Sequence, residues 1–378
     1  MLRLLPTALT LAIALSALPA LALSPGARAA ARLKASGATP VVGAKAARPQ
    51  KVSMRQGIPY ADNPQAQAFA TEVAERRGLD AAWTQRAIGQ AQQLAVVQRL
   101  MQPAPAGTRK NWALYRSRFI DAARIAAGVR FWQDNRDALE RAEKEYGVPA
   151  EMIVGIIGVE TIYGQQMGDF RVIDTLATLA FDYPANHPRA AERSAYFRGE
   201  LEQFLSIQHR TGADPLKPLG SYAGAMGLPQ FMPSSWVRWA VDFDADGKVD
   251  IRGSAVDAIG SVASYFKGYG WQPGMATHYP VGLETVSAED LDALLAPDIL
   301  PSFSPETFTA RGAALDETAL EHQGKLALVE LQNADAPSRY VAGTDNFYVI
   351  TRYNQSSYYA MAVIELGREV RVALEWAP

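Results

Sequence analysis

"AEMIVGIIGVETIYG", Ala150 to Gly164, is the stretch whose reading decides the fold. Met152, Ile153, Val154, Ile156, Ile157, Val159 and Ile162 leave no polar stripe, and a helix that is apolar nearly all round belongs inside a protein. Pro149 suits the first helical turn, Glu151 complements the positive end of the helix dipole, and Gly164 supplies a stop. Glu160 then sits in the last turn of a buried helix. An ionised carboxyl removed from water costs several kcal/mol unless it is paired or neutralised. Two readings stay open. One is a structural glutamate satisfied by hydrogen bonds or a buried arginine. The other is a general acid kept protonated by desolvation, with its proton available to a leaving group, as in glycosidic cleavage. Gly155 and Gly158 leave room on the preceding turn for a neighbouring chain or a ligand.

Outward from this helix the chain is mostly helical. "NPQAQAFATEVAERRG" and "DAAWTQRAIGQAQQLAVVQRLM" are alanine-rich amphipathic stretches, with Gly78 ending the first and Asp80 capping the second. "FIDAARIAAGVRFWQDNRDALERAEKEYG" reads as one further helix stopping at Gly147. "DTLATLAFDY", "RSAYFRGELEQFLSIQH" and "SAVDAIGSVASYFKGYGW" continue the helical pattern. From Met275 to about Tyr348, β-rich pieces such as "KLALVELQ" and "NFYVITRY" alternate with turns, which suggests a small sheet-bearing domain. "SSYYAMAVIELGREVRVAL" is helical again and is expected to pack back on the main body. The expectation is a mainly α (α+β) protein, divided into a helical domain at 60–140, a core at 141–274, a small β-containing domain at 275–349 and a returning segment at 350–378.

The N-terminus, "MLRLLPTALTLAIALSALPALALSPG", has the form of a secretory signal, with Arg3, an apolar run and an Ala20-Leu21-Ala22 cleavage site. A signal peptide over 1–22 and an exported, periplasmic product follow as expectations. Retention as a membrane anchor is the alternative, against which the apolar run is short. The chain has no cysteine, which excludes a lipid-modified mature N-terminus, disulfides, thiolate nucleophiles and cysteine-ligated metals. Residues 23–59 are Ala/Gly/Pro-rich and carry basic residues but no acid, as a disordered basic linker would. Such a linker could touch a membrane or cell-wall polymer. The formal net charge of -2 argues against nucleic acid as a partner. The four histidines are too scattered for paired metal ligands, and no serine lies in a GxSxG context.

Two further stretches carry polar and aromatic groups suited to a sugar. "SYAGAMGLPQFMPSSW" offers Ser221, Gln230 and Ser235 as hydrogen-bonding groups, with Gly224 and Gly227 allowing close backbone approach; taken alone it is also an ordinary glycine-rich loop. "TRYNQSSYY" presents Tyr353, Asn354, Tyr358 and Tyr359, a combination that matches a sugar's apolar face and hydroxyl rim. "DFDADGKVDIRG", Asp242 to Gly253, places aspartates at calcium-loop positions 1, 3, 5 and 9 and glycine at 6. Asp242, Asp244, Asp246 and the Lys248 carbonyl would face a cation, probed best with Ca²⁺ in a structural role. Position 12 is Gly253 where a bidentate glutamate is usual. An aspartate-rich turn without metal is the alternative.

"GVET", "TLATLAFDYP", "YFRGELEQFL", "GSYAGAMGLPQFMPSSW", "VDFDADGKVD", "DAIGSVASYFKGYGW" and "TRYNQSSYYAMAV" occur in an order that resembles the B-type lytic murein transglycosylases. The resemblance runs from about Tyr115 to Val363. It implies a lysozyme-like core that cleaves the β-1,4 bond between N-acetylmuramic acid and N-acetylglucosamine in peptidoglycan, leaving 1,6-anhydromuramyl ends. By position it implies Glu160 as the single catalytic acid. It also implies Tyr115, Arg193, Ser221, Gln230, Phe231, Tyr265, Tyr353, Asn354 and Tyr359 as lining the substrate groove, and Asp257 as closing the calcium site. The expected partner is the glycan strand and the expected state a monomer. A hydrolytic muramidase remains an alternative if Asp169, Asp174 or Asp182 were a second catalytic carboxylate, though their contexts read as structural. A non-catalytic peptidoglycan-binding module is another, disfavoured because a binder gains nothing from a buried acid. A calcium sensor is weak, having one atypical loop and no partner loop.

Overall fold

A computed structural model describes residues 57–102 and 109–376. The expected signal peptide and nearly all of the expected linker lie outside the described residues. The body starts slightly before residue 60: Ile58–Pro59 (β1) pairs antiparallel with Gln92–Gln93 (β2). No helix among the described residues is long and apolar enough to cross a membrane.

The helix Pro64–Arg77 starts at Asn63, whose side chain accepts from the Ala66 N–H, and stops at left-handed Gly78. Asp80 caps the next helix, Ala81–Gly89, by accepting from the Trp83 N–H. The helical run expected to reach Met101 is broken. Gln92–Gln93 form a strand, and only Ala95–Leu100 resumes as helix. The Asp174 carboxylate accepts from the Gln92 N–H and the Thr178 hydroxyl from the Leu94 N–H, so tertiary partners take donors that a continuous helix would have used. The run Phe119–Gly147, expected as one helix, is two: Ala122–Asp134 and Arg136–Tyr146. Asn135 leaves the helical region (φ −123°) and its amide nitrogen donates to the Phe131 carbonyl, finishing the first helix from within.

Ala150–Thr161 lies at the centre of the largest apolar cluster, against Ser357–Glu375, Ala255–Gly268 and the two preceding helices. Pro149 occupies the cap position just ahead of the first turn. The room left by glycine is filled by a neighbouring chain: a Cβ on Gly155 would lie 2.3 Å from the Val363 carbonyl oxygen, and one on Gly367 would lie 2.0 Å from that of Glu151. The two helix backbones are in near contact. A second apolar cluster joins the three N-terminal helices to Val172–Phe181 and the long helix Ala190–Thr211. Phe170–Arg171 (β3) and Leu219–Gly220 (β4) pair between these two bodies of packing.

The third cluster sits under a four-stranded antiparallel sheet, β5 (His278–Gly282), β6 (Ala314–Leu315), β7 (Ala327–Asn333) and β8 (Ala336–Gly343), in the order β6-β5-β8-β7. "KLALVELQ" is β7 in large part. "NFYVITRY", read from its composition as β-rich, is instead the helix Asp345–Tyr353. The Thr344 hydroxyl caps it, and Asn346 is fully buried with its amide donating to the carbonyls of Gln272 and Met275. These contacts override a strand propensity worth only about 1 kcal/mol across its whole range.

Candidate active site

The helix carrying Glu160 ends abruptly. Ile162 (φ 51°) and Tyr163 (φ 55°) are both left-handed before Gly164 (φ 87°), a conformation that costs a β-branched residue energy and is held by its surroundings. The Thr161 hydroxyl accepts from the Gly164 N–H and lies 3.0 Å from the Leu228 carbonyl, which ties this exit to the "GLPQF" loop. Glu160 is thereby left half-buried at the edge of a pocket, with no ion pair among the described residues. The Tyr359 hydroxyl donates to its Oε1 at 2.5 Å. Burial pushes the Glu160 pKa up to about 7, and the Tyr359 hydrogen bond pulls more weakly the other way. No arginine pairs with Glu160 among the described residues, against the buried-arginine reading.

Ser221, Gln230, Phe231, Tyr265, Tyr353 and Asn354 line the same pocket as Glu160. Tyr265 and Tyr353 are 4.7 Å apart between ring centres, and Phe231 packs 5.7 and 5.9 Å from them, giving one continuous aromatic wall. The Tyr265 and Tyr353 hydroxyls are spent on the carbonyls of Arg352 and Pro229, so these rings offer mainly faces. Gln230 is held at a left-handed φ of 50° with its amide nitrogen donating to the Gly227 carbonyl, and Ser221 Oγ accepts from the Ala223 and Ala225 N–H groups. Asn354 is 7% exposed and its Oδ1 has no partner. Such an atom is costly unless a ligand or water meets it.

Three residues that the resemblance placed in the groove stand elsewhere. Tyr359 is fully buried beneath the acid and reaches the site through Glu160. Tyr115 stacks with Trp112 and packs edge-on to Tyr358, outside the pocket lining; burial and then the Glu160 charge raise its hydroxyl pKa. Arg193 lies near Tyr183 and His187, outside the pocket lining. Tyr196, Tyr222 and Met232 line the pocket without having been singled out from the sequence, and Ser235 joins them. Tyr222 follows Ser221 directly, a signal the sequence offered; Tyr196 sits one helical turn before Glu200, whose burial only the structure shows.

Of the other acids, Asp174 pairs with Arg171, Asp182 accepts from the Tyr60 hydroxyl, and Asp169 is exposed. None of them lines the pocket, where Glu160 is the one carboxylate among the described residues.

In the aspartate loop, carboxylate oxygens of Asp242, Asp244 and Asp257 lie within 4.8 Å of one another. Gly247 (φ 89°) makes the sharp turn, and its N–H donates to Asp242 Oδ2. Asp257 comes from the following helix, is 1% exposed, and accepts from the N–H groups of Phe243, Asp244 and Asp250. Asp246 and Lys248 stay on the exposed turn, with the Lys248 N–H donating to Asp246 Oδ1; they do not join the cluster of three. An all-oxygen donor set with converging negative charge and no cationic side chain fits a hard divalent cation.

A lysozyme-like helical core with one desolvated glutamate over an aromatic, amide-bearing pocket defines a class of glycan-cleaving proteins. Residues 61–368 match the family described as the Transglycosylase SLT domain, and the chain belongs to it. It is 41% identical over 333 residues to membrane-bound lytic murein transglycosylase B of Escherichia coli (strain K12), covering 86% of this chain and 88% of that one. Among solved structures it resembles the soluble lytic transglycosylase SltB1 of Pseudomonas aeruginosa (41% identity, TM-score 0.74, 83% of this chain and 100% of that one). It also resembles the Escherichia coli lytic transglycosylase SLT35 solved in complex with calcium (40% identity, TM-score 0.71, 87% and 99%). The protein is a peptidoglycan lytic transglycosylase.

Proposed function

We infer that Glu160 is the single acid–base group of this enzyme. The observation that carries it is a carboxyl held near neutral pKa by burial, at the rim of a pocket lined by the aromatic wall. Protonated Glu160 gives its proton to the glycosidic oxygen as the bond to the muramic anomeric carbon breaks. The resulting carboxylate then takes the proton of that sugar's C6 hydroxyl, whose oxygen bonds to the same carbon. One C–O bond breaks, one forms, the proton is returned and no water enters. Intramolecular attack carries the effective-molarity advantage of a held reactant, and the sugar's own N-acetyl group shields the positive centre that a second carboxylate would otherwise face. Ser221, Gln230, Asn354 and the Phe231–Tyr265–Tyr353 wall would hold the strand.

The test is mass analysis of soluble muropeptides released from sacculi. Wild type is expected to give 1,6-anhydromuramyl ends, and Glu160→Gln to release them at least about 10²-fold more slowly, the low end of what a general acid contributes. Reducing muramic ends carrying one solvent oxygen would instead identify a muramidase. We also propose that Asp242, Asp244 and Asp257 bind Ca²⁺ as a structural ion, with the Lys248 carbonyl and Asp246 drawn in on binding; the related structure solved with calcium supports this. Export to the periplasm and cell-wall or membrane contact through the basic linker belong to the same proposal, supported by the N-terminal sequence; action as a monomer is proposed with them.

A further inference from the structure

The reaction above leaves one buried acid unused. Glu200 is 3% exposed and lies midway along Ala190–Thr211, four residues after Tyr196, so the two side chains share a face. Its Oε1 accepts from the Ser234 hydroxyl at 2.6 Å and its Oε2 from the Ser234 N–H at 2.8 Å. The Tyr196 hydroxyl lies near enough for the Glu200 charge to raise its pKa, after burial. Neutral donors alone satisfy it. Burial raises its pKa, and these hydrogen bonds counter that rise.

Its neighbours belong to the pocket. Tyr196 lines it, and so do Met232 and Ser235, which bracket Ser234. The short helix Pro233–Trp239 receives no cap from its own N-cap residue, because Met232 makes no side-chain hydrogen bond. Glu200, 34 residues away in sequence, accepts that free N–H instead. One carboxyl thus joins the wall built by the long helix to the wall built by residues 232–235.

We propose that Glu200 is a positioning residue for the glycan: through Ser234 it sets the spacing of these two pocket walls, and with it the place of Tyr196 beside the strand. This rests on the pocket being where the strand binds. A merely architectural role would be served as well by apolar packing, since buried charged groups add little net stability.

Steady-state kinetics on soluble, peptide-free peptidoglycan strands test it. Glu200→Ala is expected to raise KM about tenfold while kcat changes less than about threefold, the signature of lost substrate binding. Glu200→Gln is expected to stay within about threefold of wild type on both, because its amide can accept from the Ser234 N–H and donate to the Ser234 hydroxyl. Ser234→Ala is expected to raise KM in the same direction and to add nothing in the Glu200→Ala background, as two members of one network do. Unchanged KM in Glu200→Ala, a Glu200→Gln as impaired as Glu200→Ala, or additive effects would each overturn the proposal. If Glu200→Ala does not fold, Ser234→Ala decides it by the same KM criterion. Failure of the pocket reading itself would show differently: strands would not bind to Glu160→Gln protein, whatever residue 200 is.

Discussion

In the proposed role Glu160 depends on being badly solvated, and that has opposite consequences for activity and stability. As an acid it must carry its proton, so activity is present below a pKa of about 7 and is lost as pH rises through it. The Tyr359 hydrogen bond lowers that pKa. Tyr359→Phe is therefore expected to move the alkaline limb of the pH–kcat/KM profile upward; a limb that stays put or moves down would show that Tyr359 does not tune the acid. For stability, the folded state holds the proton more tightly than the unfolded chain, whose glutamate titrates near its ordinary 4.5. The stabilising difference is complete below that ordinary value and is lost as pH rises towards 7. Above pH 7 the fold carries a buried carboxylate at a cost on the order of 3 kcal/mol. Glu160→Gln is expected to melt higher than wild type at pH 8 and nearly with it at pH 4, measured by thermal unfolding at the two pH values.

At the scale of elements, the pairing of Ala150–Thr161 with Ser357–Glu375 positions both Glu160 and Tyr359, one from each helix. Their approach depends on Gly155 and Gly367, where a methyl group would meet carbonyl oxygen of the opposite helix. Gly155→Ala is expected to lower stability by about 1–3 kcal/mol, as overpacking does. It should also weaken the Tyr359–Glu160 contact, read as an upward move of the same alkaline limb. A variant with wild-type melting would show that the helices separate without cost. Gly155 was visible in the sequence, and so were the cap at Asp80 and the stop at Gly78. The break at Asn135 and the helix over "NFYVITRY" were not, because the first needs a side chain to leave periodicity and the second needs Gln272 and Met275 from far along the chain.

At the scale of the molecule, the aspartate loop and the pocket are mechanically continuous. The Leu228 N–H donates to the Ile251 carbonyl, the Arg252 guanidinium to the Leu219 carbonyl, and Leu228 in turn meets Thr161 beside the acid. Three converging carboxylates repel one another until a cation is present. Calcium at millimolar concentration is expected to raise the melting temperature by preferential binding to the folded state. Asp257→Ala and Asp242→Ala should each abolish that rise, whereas Asp246→Ala, on the exposed turn, should only diminish it. Melting that ignores calcium in wild type would remove the ion from the account.

The sequence by itself determined that a carboxyl lies in an apolar helix, that glycines clear one face of it, that aspartates are spaced for a cation, and that polar and aromatic residues gather in two stretches. Each of these is local, a matter of spacing along one element. Only the tertiary structure decided which groups meet. It put Tyr359 under the acid, moved Tyr115 and Arg193 out of the pocket lining, and brought in Tyr196 and Tyr222. It also chose Asp257 over Asp246 as a member of the carboxylate cluster. The physical reason is range: hydrophobic periodicity and capping act over one or two turns, while desolvation and hydrogen bonding at the site depend on what packs against it from distant parts of the chain.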